Sequence, residues 1–167
     1  SMLGQAVVSD KLCFLIIGDL AFFYDMNALG INEIGSNVRI LLLNNRGGEE
    51  FYYNQVWKNE ASDLHTTARH NTDAASWVLT AGLEYLPVTD KTSFEKALPI
   101  FMDEKSERPI LMEVFTEMKQ DSDVIYDFYD LSRPRDIKSE TIRRSKELIK
   151  ATIGQEKAQK IAGIFKK

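Results

Sequence analysis

Residues 12–48, LCFLIIGDLAFFYDMNALGINEIGSNVRILLLNNRGG, hold two apolar runs that each end abruptly in polar groups. Residues 12–17 are apolar throughout, too short for a good helix and suited to a strand buried on both faces of a parallel sheet. The run stops at Gly18-Asp19. From there the spacing changes: Phe22, Phe23, Met26, Leu29 and Gly30 fall on one helical stripe, which puts Asp19 where a strand hands over to a helix. A second apolar run, residues 38–43, ends in Asn44-Asn45-Arg46-Gly47-Gly48. The spacing predicts a βαβ unit with both strand ends at one edge of a sheet, the edge at which open parallel sheets bind ligands.

The groups gathered at that edge are of one chemical kind. Asp19 offers a carboxylate and Asn45 an amide oxygen, the hard donors that Mg²⁺ prefers, and Mg²⁺ completes its shell with water and substrate phosphate. The N–H groups of Leu20 and Ala21 open the predicted helix and direct partial positive charge at the same place. Gly47 and Gly48 permit close backbone approach, so a main-chain carbonyl can turn toward a cation. The combination reads as a site for Mg²⁺ and a diphosphate. Gly-Asp alone is equally a turn followed by a helix cap, so the reading rests on both signals ending adjacent strands of one unit. Both ligands lie at strand ends, and their removal is expected to leave the fold intact. A receiver-type phospho-acceptor domain also carries an Asp at a strand end, but it requires an acidic pair after its first strand and a Lys after its last, and Thr116-Glu117-Met118 does not supply that pattern.

Gly18-Asp19, followed 26 positions after Asp19 by Asn45 within Asn44-Asn45-Arg46-Gly47, resembles the signature of thiamine-diphosphate-dependent enzymes. The resemblance implies the C-terminal diphosphate-binding domain of that family, with Mg²⁺ held by Asp19, Asn45 and the Gly47 carbonyl. It implies thiamine diphosphate as cofactor, bound by Gly18, Asp19, Leu20, Ala21, Asn45, Gly47, Gly48 and Phe51. Within the family, GDLAFFYDMNALG is most similar to the menaquinone-pathway synthases that join 2-oxoglutarate to isochorismate. The acetolactate-synthase-like enzymes encoded with surface-polysaccharide genes are nearly as similar. The likeness is dense over residues 12–51, loose over 73–116 and absent beyond about 132. It departs at Glu50, where the menaquinone-pathway synthases usually carry an apolar residue near the thiazolium.

The implied activity is decarboxylation of a 2-oxo acid and transfer of the acyl carbanion equivalent to a second small molecule. In the family a second domain, usually from another subunit, binds the aminopyrimidine and brings the activating glutamate, so a homodimer or homotetramer is expected. No catalytic residue is assigned within this chain, which by itself is expected to be inactive. A non-catalytic module that keeps the fold and has lost the metal is the alternative, and the three intact ligand positions speak against it.

Outward from the signature, the composition of the 167 residues, 44% apolar and 28% charged, is that of an ordinary globular chain with one full core. Ser1-Met2 reads as an expression scar and residues 3–8 as the tail of a helix, so the chain is expected to be a fragment of a longer protein. Neither a signal peptide nor a membrane span is expected from these residues. A single cysteine, Cys13, excludes a disulfide within the chain and suits a reducing cytoplasm. Residues 49–72 lack periodicity and carry both histidines, His65 and His70; an active-site lid with Phe51, Tyr52, Tyr53 and Trp57 and a loop packing on a partner subunit are both open. A helix is expected over 73–82 with Asp73 as cap and Gly82 as stop, a strand over 83–88, a helix over 93–104, and a last buried strand over 110–115. Strands alternating with helices predict a three-layer α/β/α sandwich around a mostly parallel sheet. The diphosphate-binding domain is placed at 1–132 and a basic helical tail at 133–167. That tail holds eleven Lys/Arg and four Asp/Glu, a net +7 that leaves −11 for residues 1–132 of the −4 total. Two amphipathic helices are expected there, striped by Ile142, Ile149 and Ile153 and by Ala158, Ile161, Ala162 and Phe165, docking on the acidic domain or a neighbouring subunit; neither nucleic acid nor membrane is expected as a partner.

Overall fold

In the computed structural model, which describes residues 2–50 and 67–132, helix α1 (Met2–Val7) leads to strand β1 (Cys13–Gly18). The change of period at Gly18 is realised without a loop: β1 runs directly into α2 (Asp19–Asp25), with Gly18 as its N-cap in extended conformation. The chain tightens into a 3-10 turn over Met26–Gly30 and returns as β2 (Val38–Asn44). Then follow α3 (Ala75–Thr80), β3 (Glu84–Val88), α4 (Lys91–Phe101), β4 (Ile110–Phe115) and α5 (Met118–Ser132). By contact density the chain divides into two compact units, Ser1–Tyr126 and Asp127–Lys167. Of the second, the described residues are the closing turns of α5; the expected tail helices lie outside the described residues.

All four strands are parallel, in the order β1-β2-β4-β3. Gly18 lies beside Leu43 and Asn44 beside Phe115, so the carboxyl ends of β1, β2 and β4 align. That alignment brings the residue after β1, Asp19, next to those after β2. One face of the sheet packs Ile40, Leu42 and Leu111 against Ala6 of α1, Phe22 of α2 and Val78 of α3. The other packs Ile110, Met112 and Val88 against Ala97 and Phe101 of α4. The arrangement is the expected α/β/α sandwich with a parallel sheet. Each buried Leu, Ile or Phe contributes about 1.5–3 kcal/mol of transfer free energy, which fixes the helices over their faces.

Strand β1 differs from expectation. An unbroken apolar run suggested burial on both faces, yet burial alternates, with Phe14 45% and Ile16 71% exposed. Among the described residues β1 is an outer strand; α1 and α2 pack on one face, and on the other Phe14 meets Phe101 at the end of α4 edge-on, with ring centroids 5.9 Å apart. Cys13 within it is half-buried, not fully enclosed. Helix ends also shift. Asp73 accepts from the Ala75 N–H instead of capping from the position before the helix, and Gly82, at φ +83, ends the segment as foreseen. The proline of β3, Pro87, lies on the outer strand at the opposite edge, where its missing N–H is tolerated.

Helix α4 begins two residues before Ser93, the expected start, because Asp90 is its cap. The Asp90 carboxylate accepts from the Ser93 N–H at 2.8 Å, and the Ser93 hydroxyl accepts from the Asp90 N–H at 3.0 Å, a reciprocal capping box. The Ser93 amide, and after it the Ser93 hydroxyl, hold the Asp90 carboxyl below its usual range. A carboxyl depressed in the folded state contributes stability that is complete above its unfolded pKa and is lost as pH falls through its folded pKa. Asp90→Ala is therefore expected to lower the melting temperature at neutral pH. The gap to the parent protein should close as the solution is acidified through the Asp90 titration; a gap constant from pH 7 to pH 2 would show that the charge of the cap contributes nothing.

Candidate metal and diphosphate site

Asp19 is the first residue of α2 and only 2% exposed. Its Oδ1 accepts from the Leu20 N–H at 2.6 Å and its Oδ2 from the Gly47 N–H at 2.9 Å. The second bond joins the two halves of the sequence signature, across the edge of β1 and β2. A carboxylate has about four lone-pair directions, so two hydrogen bonds leave capacity for a cation. Of the two amides expected to face an anion, that of Leu20 is engaged by its own neighbour, Asp19.

Asn45 is oriented by Glu49, whose Oε2 accepts from Asn45 Nδ2 at 3.0 Å. Among the described residues the amide oxygen of Asn45 accepts nothing, which leaves Oδ1 for a metal. Glu49 also accepts from the Ser122 hydroxyl at 3.3 Å. Burial, and then the charge of Asp121, raise its carboxyl above the usual range, while the bonds from Ser122 and Asn45 act the other way. Its neighbour Glu50, the position at which the sequence departs from the synthases, is exposed.

Gly47 has φ +154, and a Cβ there would lie 2.6 Å from the Thr67 carbonyl oxygen and 2.9 Å from the Met118 methyl group. The site needs glycine for that approach. Two main-chain bonds draw the segment 67–70 over the turn, Gly48 N–H to the Thr67 carbonyl at 2.6 Å and His70 N–H to the Arg46 carbonyl at 3.2 Å. Gly47→Ala must push backbone against backbone, and is expected to cost about 2 kcal/mol. Urea unfolding checks this; a loss under a few tenths would mean the 67–70 strap yields freely.

His70 is the residue that sequence reading left undecided. Its Nδ1 accepts from the Thr72 N–H at 3.1 Å, which assigns the proton of the neutral ring to Nε2. Nε2 lies 3.1 Å from Asp19 Oδ2 without the alignment of a hydrogen bond, and the ring stands edge-on to Phe23 with centroids 5.3 Å apart. With one nitrogen accepting and the other protonated, His70 has no lone pair for a metal. In that tautomer it stands beside Asp19 as a neighbour of the candidate ligand. Beside it lies a cavity of about 470 Å³ lined by Leu20, Phe23, Tyr24, His70 and Trp77. His65 and Phe51 lie outside the described residues, as do Tyr52, Tyr53 and Trp57.

The donor set suits a hard divalent ion. Among the described residues no three His, Cys, Asp or Glu side chains cluster as a metal site. Asp19, Asn45 and the Gly47 carbonyl offer instead one charge and two neutral oxygens, which match an ion that brings its own phosphate ligand. No described helix is long and apolar enough to cross a membrane.

A parallel sheet with helices on its faces and a carboxylate and a glycine turn at its carboxyl edge belongs to the open α/β class, in which that edge is where ligands bind. No family model matches the chain. Residues of the chain are 43% identical over 129 positions, 76% of its length, to the 2-succinyl-5-enolpyruvyl-6-hydroxy-3-cyclohexene-1-carboxylate synthase of Phocaeicola vulgatus, and cover 23% of that enzyme. The synthase of the same name from Bacteroides thetaiotaomicron is 42% identical over 128 residues, 75% of this chain and 23% of its own. That of Roseiflexus castenholzii is 35% identical over 109 residues, 64% of this chain and 18% of its own. The chain is a homologue of these synthases over the shared segment, as the resemblance of residues 12–51 led one to expect. It spans about a quarter of the length of the curated relatives it matches.

Proposed function

We propose that this chain supplies the Mg²⁺ and diphosphate half of a thiamine-diphosphate site, in an enzyme acting as a 2-succinyl-5-enolpyruvyl-6-hydroxy-3-cyclohexene-1-carboxylate synthase. The observation that carries the reading is the bond from the Gly47 N–H to Asp19 Oδ2, because it joins the two signature segments at one point. Asp19, Asn45 Oδ1 and the Gly47 carbonyl hold the Mg²⁺, with Gly18, Leu20, Ala21 and Gly48 around the diphosphate. Thiamine diphosphate, when bound, supplies the carbanion stabilisation needed to decarboxylate a 2-oxo acid and pass its acyl unit to an acceptor. The chain's own residues bind and orient. Asp19 neutralises part of the cation's charge, Glu49 turns the Asn45 amide, and the strap at 67–70 holds the glycine turn against Asp19.

The same reading makes the chain one half of a site. A second domain or subunit, in a homo-oligomer, completes it with the activating glutamate, and the assembly works in the cytoplasm. Three relatives bearing the synthase name favour this over an acetolactate-synthase-like enzyme. The test is calorimetric: melting of the protein with thiamine diphosphate in Mg²⁺ and in EDTA. A ligand at a hundred times its Kd stabilises by about 2.7 kcal/mol, and that gain is expected only with Mg²⁺. A melt unmoved by the pair, or moved equally in EDTA, would reject the metal–diphosphate reading.

A further inference from the structure

The last strand, ILMEVF, places a carboxylate where nothing in the site reading uses it. Glu113 of β4 is fully buried, and three donors from three segments converge on it. Its Oε1 accepts from Asn44 Nδ2 at 2.6 Å, while Oε2 accepts from the Ala74 N–H at 3.0 Å and the Tyr85 hydroxyl at 2.6 Å. Burial, and then the bond to Glu113, hold the Tyr85 hydroxyl far above the usual phenol range, so it stays a donor. All three partners are neutral. Removing a carboxylate from water is costly even after relaxation, a cost that an apolar side chain in β4 would not carry.

The chain of contacts continues toward the candidate site. Asn44, itself fully buried, spends its second amide hydrogen on the Thr72 carbonyl at 3.0 Å. Its Oδ1 accepts from the Arg46 N–H at 3.2 Å. Arg46 has φ +67, a left-handed conformation that a non-glycine residue adopts only when its surroundings impose it. The next residue is Gly47, whose N–H meets Asp19.

We propose that Glu113 is a positioning residue of this site: acting through Asn44, it locks the left-handed Arg46 turn that presents Asn45 and the Gly47 carbonyl beside Asp19. The consequence for metal binding rests on the function proposed above, whereas the coupling of Glu113 to the turn does not. The acceptor-only character of a carboxylate is essential to it. A glutamine at 113 must aim its NH₂ either at Asn44 Nδ2 or at the Ala74 and Tyr85 donors. In the first case Asn44 is driven to flip, which sets its own NH₂ against the Arg46 N–H and releases the turn. In the second, the strap before α3 loses its anchor.

Amide hydrogen exchange of the chain without metal tests the coupling directly, in Glu113→Gln, Asn44→Ala and Tyr85→Phe. Asn44→Ala removes the relay and leaves Glu113 two donors; Tyr85→Phe removes a donor and leaves the relay. Exchange at the Arg46 and Gly47 amides is expected to quicken at least about tenfold in the first two, and to stay within about twofold of the parent in Tyr85→Phe. Apparent Mg²⁺ affinity in the presence of thiamine diphosphate should weaken about tenfold in the same two variants, the loss typical of residues that orient metal ligands. Exchange unchanged in Glu113→Gln, or quickened as much in Tyr85→Phe as in Glu113→Gln, would overturn the proposal. If Glu113→Gln does not fold, Glu113→Asp, which keeps the charge and draws the carboxylate back from Asn44, is expected to quicken the same amides, and exchange unchanged in it would overturn the proposal. A parent protein that ignores Mg²⁺, with the exchange pattern as expected, would sink the metal reading and leave the coupling standing.

Discussion

Asp19→Ala is expected to abolish Mg²⁺-dependent uptake of thiamine diphosphate and, in the same protein, to lower stability by about 1–3 kcal/mol. The first effect follows from the donor set: Asp19 is the one anionic side chain among the three proposed ligands, and the neutral oxygens of Asn45 and Gly47 cannot by themselves offset the dehydration of Mg²⁺. The second effect was not foreseen from a ligand at a strand end. Asp19 is 2% exposed, and its two oxygens satisfy the Leu20 and Gly47 amides, which alanine would leave without partners. Asp19→Asn separates the two effects. It keeps one acceptor oxygen and the side-chain volume, so it should recover part of the stability, yet without the charge it should still fail to take up the cofactor. Titration calorimetry with thiamine diphosphate in saturating Mg²⁺ measures the binding, and urea unfolding without ligand measures the fold. Unchanged cofactor affinity in Asp19→Ala would remove the residue from the site.

The signature was legible because it combines two signals of different kind, a change of hydrophobic period and the polar groups at the point of change. That is why β1, α2 and β2 emerged together with Asp19 and Asn45 at one edge. What stayed hidden depends on neighbours in space. The run LCFLII looks the same whether a strand is covered on both faces or on one, so the exposure of Phe14 and Ile16 could not be read from it. Helix α5 carries only Met118 and Ser122 buried near its start, too weak a stripe to announce fifteen residues of helix. Glu113 appears in sequence as a lone acid in a strand, and its role exists only because Asn44, Ala74 and Tyr85 arrive from three other segments. Glu49 was passed over for the same reason, since its partners are Asn45, four residues away, and Ser122, on another helix. Asp90 could have been found: Asp-x-x-Ser ahead of an apolar stripe is the sequence form of a capping box.

Arg39 interrupts the second apolar run, and Arg39→Met is expected to cost about 4 kcal/mol, near the top of the range for single substitutions. Its side chain is fully buried, where a guanidinium survives only if its donors are met. They are met by four main-chain carbonyls. Nε donates to Phe101 at 2.7 Å and Nη2 to Asp103 at 2.6 Å, while Nη1 donates to Ser36 at 2.6 Å and Val38 at 2.9 Å. Phe101 ends α4, so the guanidinium serves carbonyls that the helix itself cannot satisfy and sits at the negative end of its dipole. Burial pulls the Arg39 pKa below its usual value, and the charges of Asp103 and Glu84 pull it back, so the side chain is ionised throughout the working pH range. Methionine fills much of the volume and leaves the carbonyls orphaned. Lysine keeps the charge, but one ammonium cannot span two segments, and Arg39→Lys should recover no more than about half of the loss. Arg39 lies five residues before Asn44 along β2, about 17 Å from the carboxyl edge at 3.3 Å per residue. Below its lowered melting temperature, Arg39→Met should therefore take up thiamine diphosphate and Mg²⁺ with the parent's affinity, the reverse of the Asp19→Asn result. Loss of binding in the folded Arg39→Met protein would mean that the two ends of β2 are not independent.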